Sequence, residues 1–156
     1  MKLFLVRHGE AEARAATDAA RALTALGMAQ ADATGQWLAQ HCAADVQLLA
    51  SPYRRAQETA HAIQRRFPAL AITAVAGITP DDDPRRALEA IAASVRQQQV
   101  IVVSHMPLVA GLHQWLCDGV ITGGRPFALA EARSYVLDVL APGMAEVGAG
   151  FIPGLD

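Results

Sequence analysis

Two histidines and two arginines fall where a nucleophile could be presented to a bound anion. Arg7-His8-Gly9-Glu10 follows directly on the apolar run Leu3–Val6. Ser51-Pro52 follows a second apolar run, Val46–Ala50, and Arg55 comes within the next turn of chain. Ser104-His105 follows a third run, Val100–Val103, and leads into Met106-Pro107. Guanidinium forks match the oxygens of a phosphate bidentately. An imidazole can attack or donate a hydrogen bond, depending on which nitrogen carries the proton. Ser-Pro and Met-Pro ahead of helices add helix N-termini, whose free N–H groups and positive dipole end also favour an anion. Taken singly, each residue has an ordinary role. A histidine after a strand is usually a turn residue, an arginine a solvated charge, and Ser-Pro a helix cap. Their joint placement at the ends of three buried strands is what points to an anion site.

The elements that must position them can be read along the chain. Leu3–Val6 and Val100–Val103 are unbroken apolar runs, as expected of strands buried on both faces. Residues 9–23 read as a long connection carrying Asp18 and Arg21. Thr24 is placed to cap a helix to about Cys42, with Leu26, Ala29, Ala33, Trp37 and Leu38 on its inward face. Ser51-Pro52 reads as the cap and first-turn proline of a helix ending near Phe67-Pro68. Leu70–Val75 is an alanine-rich strand candidate. Pro84 opens a helix with Ala87, Leu88, Ile91 and Val95 facing in, and Pro107 opens another to about Cys117. Asp118–Pro126 is glycine-rich loop, and Ser134–Leu140 and Glu146–Ile152 read as the closing strands. Strands alternating with helices predict an α/β fold: a three-layer, open, mostly parallel sheet with helices on both faces. Such sheets bind ligands in the crevice outside the carboxyl ends of their strands.

Composition narrows the functional classes. The 156 residues, 53% of them apolar, are expected to form one domain over residues 1–156 with a substantial core. A net charge of −2 gives no global footprint for nucleic acid, so an anion site must come from locally clustered arginine. Cys42 and Cys117 have no CxxC spacing and read as buried thiols of a reducing compartment. The N-terminal apolar run is too short for a signal peptide, and no stretch reaches membrane length. A cytoplasmic protein is expected, without a metal site and without a cofactor.

The three motifs together resemble the histidine phosphatase superfamily. Arg7-His8-Gly9-Glu10 looks like its signature, Ser51-Pro52 with Arg55-Ala56 and Thr59 like its second motif, and Ser104-His105-Met106-Pro107 like its third. Within it the chain is most similar to the small SixA-type phosphohistidine phosphatases of bacteria. That likeness extends to Asp18, Arg21, Leu23-Thr24, Gly27, Thr79-Pro80 and the stretch from Leu108-Val109 to Leu116-Cys117. The resemblance implies a phosphoglycerate mutase-like fold with little or no lid insertion. It implies that His8 is the nucleophile of a covalent phosphohistidine intermediate. Arg7, Arg55 and His105 would hold the phosphoryl oxygens, with Ser51 and Arg21 as further substrate-binding residues. The implied partner is a phosphohistidine-bearing protein domain, either a histidine-kinase phosphotransfer domain or a phosphocarrier. Hydrolysis of small phosphate monoesters is the alternative on the same fold, and a non-catalytic phosphate-binding module is a third reading.

The proton donor stays open at this level. Asp18 can supply a proton or orient an arginine. Asp81, Asp82 and Asp83 can supply one or form a solvated turn. A phosphohistidine substrate expels an imidazole whose conjugate acid has a pKa of roughly 6.5, so it needs less acid help than an ester.

Overall fold

The computed structural model describes residues 1–154. Its elements run β1 (Lys2–Arg7), α1 (Ala25–His41), β2 (Gln47–Ala50), α2 (Arg54–Gln64), β3 (Ile72–Ala74), α3 (Pro84–Ser94), β4 (Gln99–Ser104), α4 (Leu108–Asp118), β5 (Ala132–Val136) and β6 (Glu146–Phe151). The six strands form one sheet in the order β3-β2-β4-β1-β5-β6. Pairing is parallel from β3 through β2 and β4 to β1, and antiparallel from β1 to β5 and from β5 to β6.

Alternation along the central strands divides the core into two layers. Leu3 and Leu5 of β1, with Val100 and Val102 of β4, pack under α3 and α4 against Leu88, Ile91, Leu108 and Leu112. Phe4, Val6, Ile101 and Val103 face the other way, against Leu38 of α1 and Ala56, Ala60 and Ile63 of α2. All eight strand side chains are fully buried, which is why these runs lack polar alternation. The predicted three-layer architecture with helices on both faces is what the chain adopts.

Several local expectations differ. Of the predicted inward face of α1, Leu38 is buried and Trp37 is half-buried against the core with its ring 6.2 Å from that of Phe4, whereas Leu26, Ala29 and Ala33 are exposed or half-buried. The buried face is Gly27, Gln30, Ala31, Thr34, Gly35 and Leu38. Small residues let the backbones approach: a Cβ on Gly35 would lie 3.1 Å from the Ile63 Cα of α2. The two polar members are satisfied, Gln30 accepting from the Glu10 N–H at 2.9 Å and Thr34 donating to the Ala130 carbonyl at 2.7 Å. Hydrophobic periodicity cannot see a face built this way. Helix α2 begins at Arg54, so Ser51 is not its cap, and it ends at Gln64, short of Phe67. Strand β5 begins two residues before Ser134 and stops at Val136, because Arg133 is buried in ion pair with Glu131 and the chain turns after Leu137.

Candidate active site at the carboxyl ends of β1, β2 and β4

Parallel register brings the three motifs together. Arg7 pairs with Ser104 across β1 and β4, and Ala50 with Val103 across β2 and β4. The residues that follow each strand therefore share one edge: His8, Ser51 and His105. The His8 N–H donates to the Ser104 carbonyl at 3.0 Å, and the Ser51 N–H to the Val103 carbonyl at 3.0 Å, extending the ladder into the site.

Glycine lets the His8 loop pass close to α1. A Cβ on Gly9 would strike the Gly27 carbonyl oxygen, and one on Gly27 would strike the Glu10 carbonyl oxygen. The Gly9 N–H donates to Thr59 Oγ1 at 3.1 Å, which ties the loop to α2 beside Arg55. Thr24 caps α1 as predicted, accepting from the Gly27 N–H at 3.0 Å.

His8 is only 7% exposed. Its Nδ1 lies 2.6 Å from the Gly9 carbonyl oxygen. A carbonyl can only accept, so Nδ1 carries the proton and Nε2 presents a lone pair. Arg55 Nε–H reaches that lone pair at 3.3 Å. Burial first, then the Arg55 and Arg7 guanidiniums, push the His8 imidazole down to about 4, against the opposing pull of the Gly9 carbonyl. The ring is neutral at neutral pH.

Arg55 is buried at the start of α2, with its guanidinium 5.2 Å from the Tyr53 ring centroid. It donates from Nη1 to the Asp18 carbonyl at 2.8 Å and from Nη2 to Asp18 Oδ2 at 3.1 Å. Arg21 takes the other carboxylate oxygen, Oδ1, at 2.9 Å, and its Nε donates to the Glu12 carbonyl at 2.6 Å. The Arg21 hydrogen bond, joined by that of Arg55, holds the Asp18 carboxyl below the usual carboxylate range. Asp18 thus sits in the geometry of an orienting residue, and Arg21 is turned onto Asp18. A single 3-10 turn, Asp18–Ala20, brings this pair back from the long connection.

His105 is fully buried, its ring 5.2 Å from that of His8 and 5.2 Å from that of Tyr53. Burial, then His8 and Arg55, push its imidazole down to about 3. Its Nε2 lies 2.7 Å from Ser51 Oγ, so the serine hydroxyl is engaged by His105. Arg7 donates from Nη1 to the Phe127 carbonyl at 2.8 Å. Among the described residues, two buried side-chain polar atoms lack a partner: Arg7 Nε and His105 Nδ1.

The acidic loop is otherwise occupied. Asp82 Oδ2 accepts from the Thr79 N–H and hydroxyl at 2.7 and 2.6 Å, and Asp83 caps α3 by accepting from the Arg85 N–H at 2.8 Å. Asp81 is exposed. Residues that sequence reasoning missed are Tyr53, packed against both Arg55 and His105, and Phe127, whose carbonyl holds Arg7. An aromatic between Ser51-Pro52 and Arg55 was the visible signal for the first. The second is a backbone contact 120 residues away in sequence, with no signal at all. Among the described residues no helix is long and apolar enough to cross a membrane, and no three His, Cys, Asp or Glu side chains group as metal ligands.

Comparison with known proteins agrees with this geometry. The family model of the histidine phosphatase superfamily (branch 1) matches residues 3–79. The phosphohistidine phosphatase SixA homolog of Haemophilus influenzae is 39% identical over 119 residues, spanning 70% of this chain and 73% of that protein. Phosphohistidine phosphatase SixA of Escherichia coli is 30% identical over 125 residues, spanning 76% of each. A solved structure of the protein histidine phosphatase SixA complexed with tungstate superposes with a TM-score of 0.82 at 26% identity, over 97% of both chains. Common motifs, a common fold and these identities place this chain in the histidine phosphatase superfamily, as a SixA-type member.

Proposed function

We propose that this protein is a phosphohistidine phosphatase, working as one domain, that transfers the phosphoryl group to His8 Nε2 and from there to water. One observation carries the reading. His8 presents a neutral imidazole lone pair, and two buried polar atoms are left without partners, Nε of the adjoining residue Arg7 and Nδ1 of His105, whose ring lies 5.2 Å from that of His8. Buried donors are normally paired. Oxygens of a bound phosphoryl group supply the missing acceptors. The SixA structure similar to this chain holds tungstate, an oxyanion that mimics phosphate.

The steps follow from the geometry. Arg55, whose Nε–H meets the Nε2 lone pair at 3.3 Å, moves that donor onto a phosphoryl oxygen as the substrate enters. Nε2 then attacks phosphorus, and the bond from phosphorus to the substrate nitrogen breaks. With Nδ1 protonated, the His8 ring becomes cationic as its lone pair is spent, and the Gly9 carbonyl 2.6 Å away stabilises that charge. Arg7, Arg55 and His105 hold the charge on the transferring oxygens. Water attacks the phospho-His8 phosphorus, the Nε2–P bond breaks, and inorganic phosphate leaves with Nε2 bare again.

The leaving group selects the substrate class. Asp18 is held ionised between two arginines, and Asp82 and Asp83 are committed to backbone hydrogen bonds. A site without a poised acid suits an imidazole leaving group, whose conjugate acid has a pKa of roughly 6.5 and which collects its proton from water. The substrate is then a phosphohistidine carried on a folded protein, a phosphotransfer domain or phosphocarrier. The test is kcat/KM for such proteins against sugar phosphates under one set of conditions. Faster turnover of phosphohistidine supports the reading; faster turnover of the ester hands the site to small monoesters.

A further inference from the structure

We infer that the Ser51 hydroxyl fixes the tautomer of His105, so that this ring meets the phosphoryl group through Nδ1–H, and that Ser51 is a positioning residue and not a phosphate ligand. The proton placement follows from the hydrogen bonds alone. What Nδ1–H is for rests on the phosphatase reading above.

Ser51 and His105 are both fully buried, so neither can complete its hydrogen bonding with bulk water. Ser51 Oγ has two partners among the described residues. It accepts from the Tyr53 N–H at 3.3 Å and lies 2.7 Å from His105 Nε2. The Tyr53 N–H is a donor and cannot receive the hydroxyl proton. Nε2 is the remaining acceptor, so Ser51 O–H donates to Nε2 and the ring proton is on Nδ1. The opposite tautomer would point Nε2–H at Oγ and leave the buried hydroxyl proton with nowhere to go. It would also aim a lone pair from Nδ1, which would repel a phosphoryl oxygen. A ring held neutral by burial has no third option.

The two site histidines are therefore held in the same Nδ1-protonated tautomer, His8 by an acceptor at Nδ1 and His105 by a donor at Nε2. The Gly9 carbonyl accepts a hydrogen bond from His8 Nδ1–H and leaves a lone pair on Nε2 for attack. The Ser51 hydroxyl donates a hydrogen bond to His105 Nε2 and leaves an N–H on Nδ1 for the oxyanion. Sheet register makes the second pairing dependable. Ser51 and His105 leave the adjacent strands β2 and β4, where Ala50 pairs with Val103. The Ser51 backbone is fixed at both ends, its N–H on the Val103 carbonyl and its carbonyl on the Gln57 side chain at 2.8 Å.

The test is a long-range 1H–15N correlation spectrum of the histidine-labelled, unliganded full chain. Three proteins are compared: wild type, Ser51→Ala and Ser51→Thr. In wild type and Ser51→Thr, His105 should show a protonated Nδ1 and a bare Nε2, and in Ser51→Ala this pattern should be lost. Turnover of a phosphohistidine protein should fall on the order of 10²-fold in Ser51→Ala, mainly in kcat, as when one oxyanion donor is removed. Ser51→Thr, which keeps the hydroxyl, should recover most of it. A wild-type spectrum with Nε2 protonated overturns the assignment without recourse to any variant. An unchanged His105 tautomer in Ser51→Ala beside a large loss of kcat also overturns it, and makes Ser51 a direct ligand. Absence of turnover in wild type with the assigned tautomer in place would refute the phosphatase reading and leave the tautomer standing.

Discussion

Acid should destabilise this fold through His8 and His105, the two histidines of the candidate site. His8 is held at about 4 and His105 at about 3, whereas an unfolded histidine titrates near 6.5. Between those values the unfolded chain binds protons that the folded chain refuses. Stability therefore falls as pH drops through 6.5, and the fall levels off only when each ring takes its proton in the fold. From pH 7.5 to 5.0 each ring costs about 2 kcal/mol, and the two together about 4 kcal/mol. That is a large share of the roughly 5–15 kcal/mol that holds a domain folded. Asp18, held below its ordinary carboxylate value, is still ionised at pH 5 and leaves its ion pairs intact in this window. The assay is urea unfolding of wild type, His8→Asn and His105→Asn at both pH values. Each variant should lose about 2 kcal/mol less than wild type on acidification, with the other titrating groups cancelling in the comparison. Equal losses in all three proteins would mean that the rings are protonated in the fold at pH 5. The depressed titration of both rings would then be refuted together with the stability argument.

Three further outcomes follow from individual contacts. Arg55→Lys keeps the charge but loses the fork that reaches Nε2 and Asp18, so kcat/KM should fall roughly 10²-fold or more; Arg54→Lys, exposed beside Glu58, should be nearly silent, and equal losses would refute the assigned helix face. Asp18→Asn should slow phosphohistidine and sugar-phosphate hydrolysis by similar factors if Asp18 only orients arginine, whereas a larger loss on the poorer leaving group would reveal a proton donor. Gly27→Ala should cost about 1–3 kcal/mol in urea unfolding, because the new Cβ strikes the Glu10 carbonyl and displaces the His8 loop; unchanged stability would contradict the close approach.

The sequence was legible wherever local chemistry decides the outcome. β1 and β4 are buried on both faces and read as unbroken apolar runs, and Thr24 and Pro84 start their helices where cap and proline rules put them. Parallel order then brought His8, Arg55 and His105 to one edge. What stayed hidden depends on partners distant in sequence. Besides Leu38, the buried face of α1 is glycine, alanine, threonine and glutamine, whose burial is permitted by close helix approach and by bonds to Glu10 and Ala130. Strand β5 starts ahead of the expected Ser134 and takes in Arg133, whose burial goes with its pairing to Glu131. Ser51-Pro52 obeys the cap rule in sequence, yet the serine hydroxyl is taken by His105 from the neighbouring strand. Asp18 offered a choice between acid and orienting residue, and only the positions of Arg21 and Arg55 on its two oxygens favour the second.

The central claim is that phosphate is carried on His8 Nε2. It is tested most directly by mixing enzyme with a phosphohistidine protein, quenching in base within a turnover, and locating the phosphate by peptide mass spectrometry and 31P NMR. One phosphoryl group is expected on His8 in wild type, attached at Nε2. None is expected in His8→Ala, with turnover reduced on the order of 10⁴-fold or more. Phosphate on another residue, or turnover in His8→Ala near that of wild type, would contradict it.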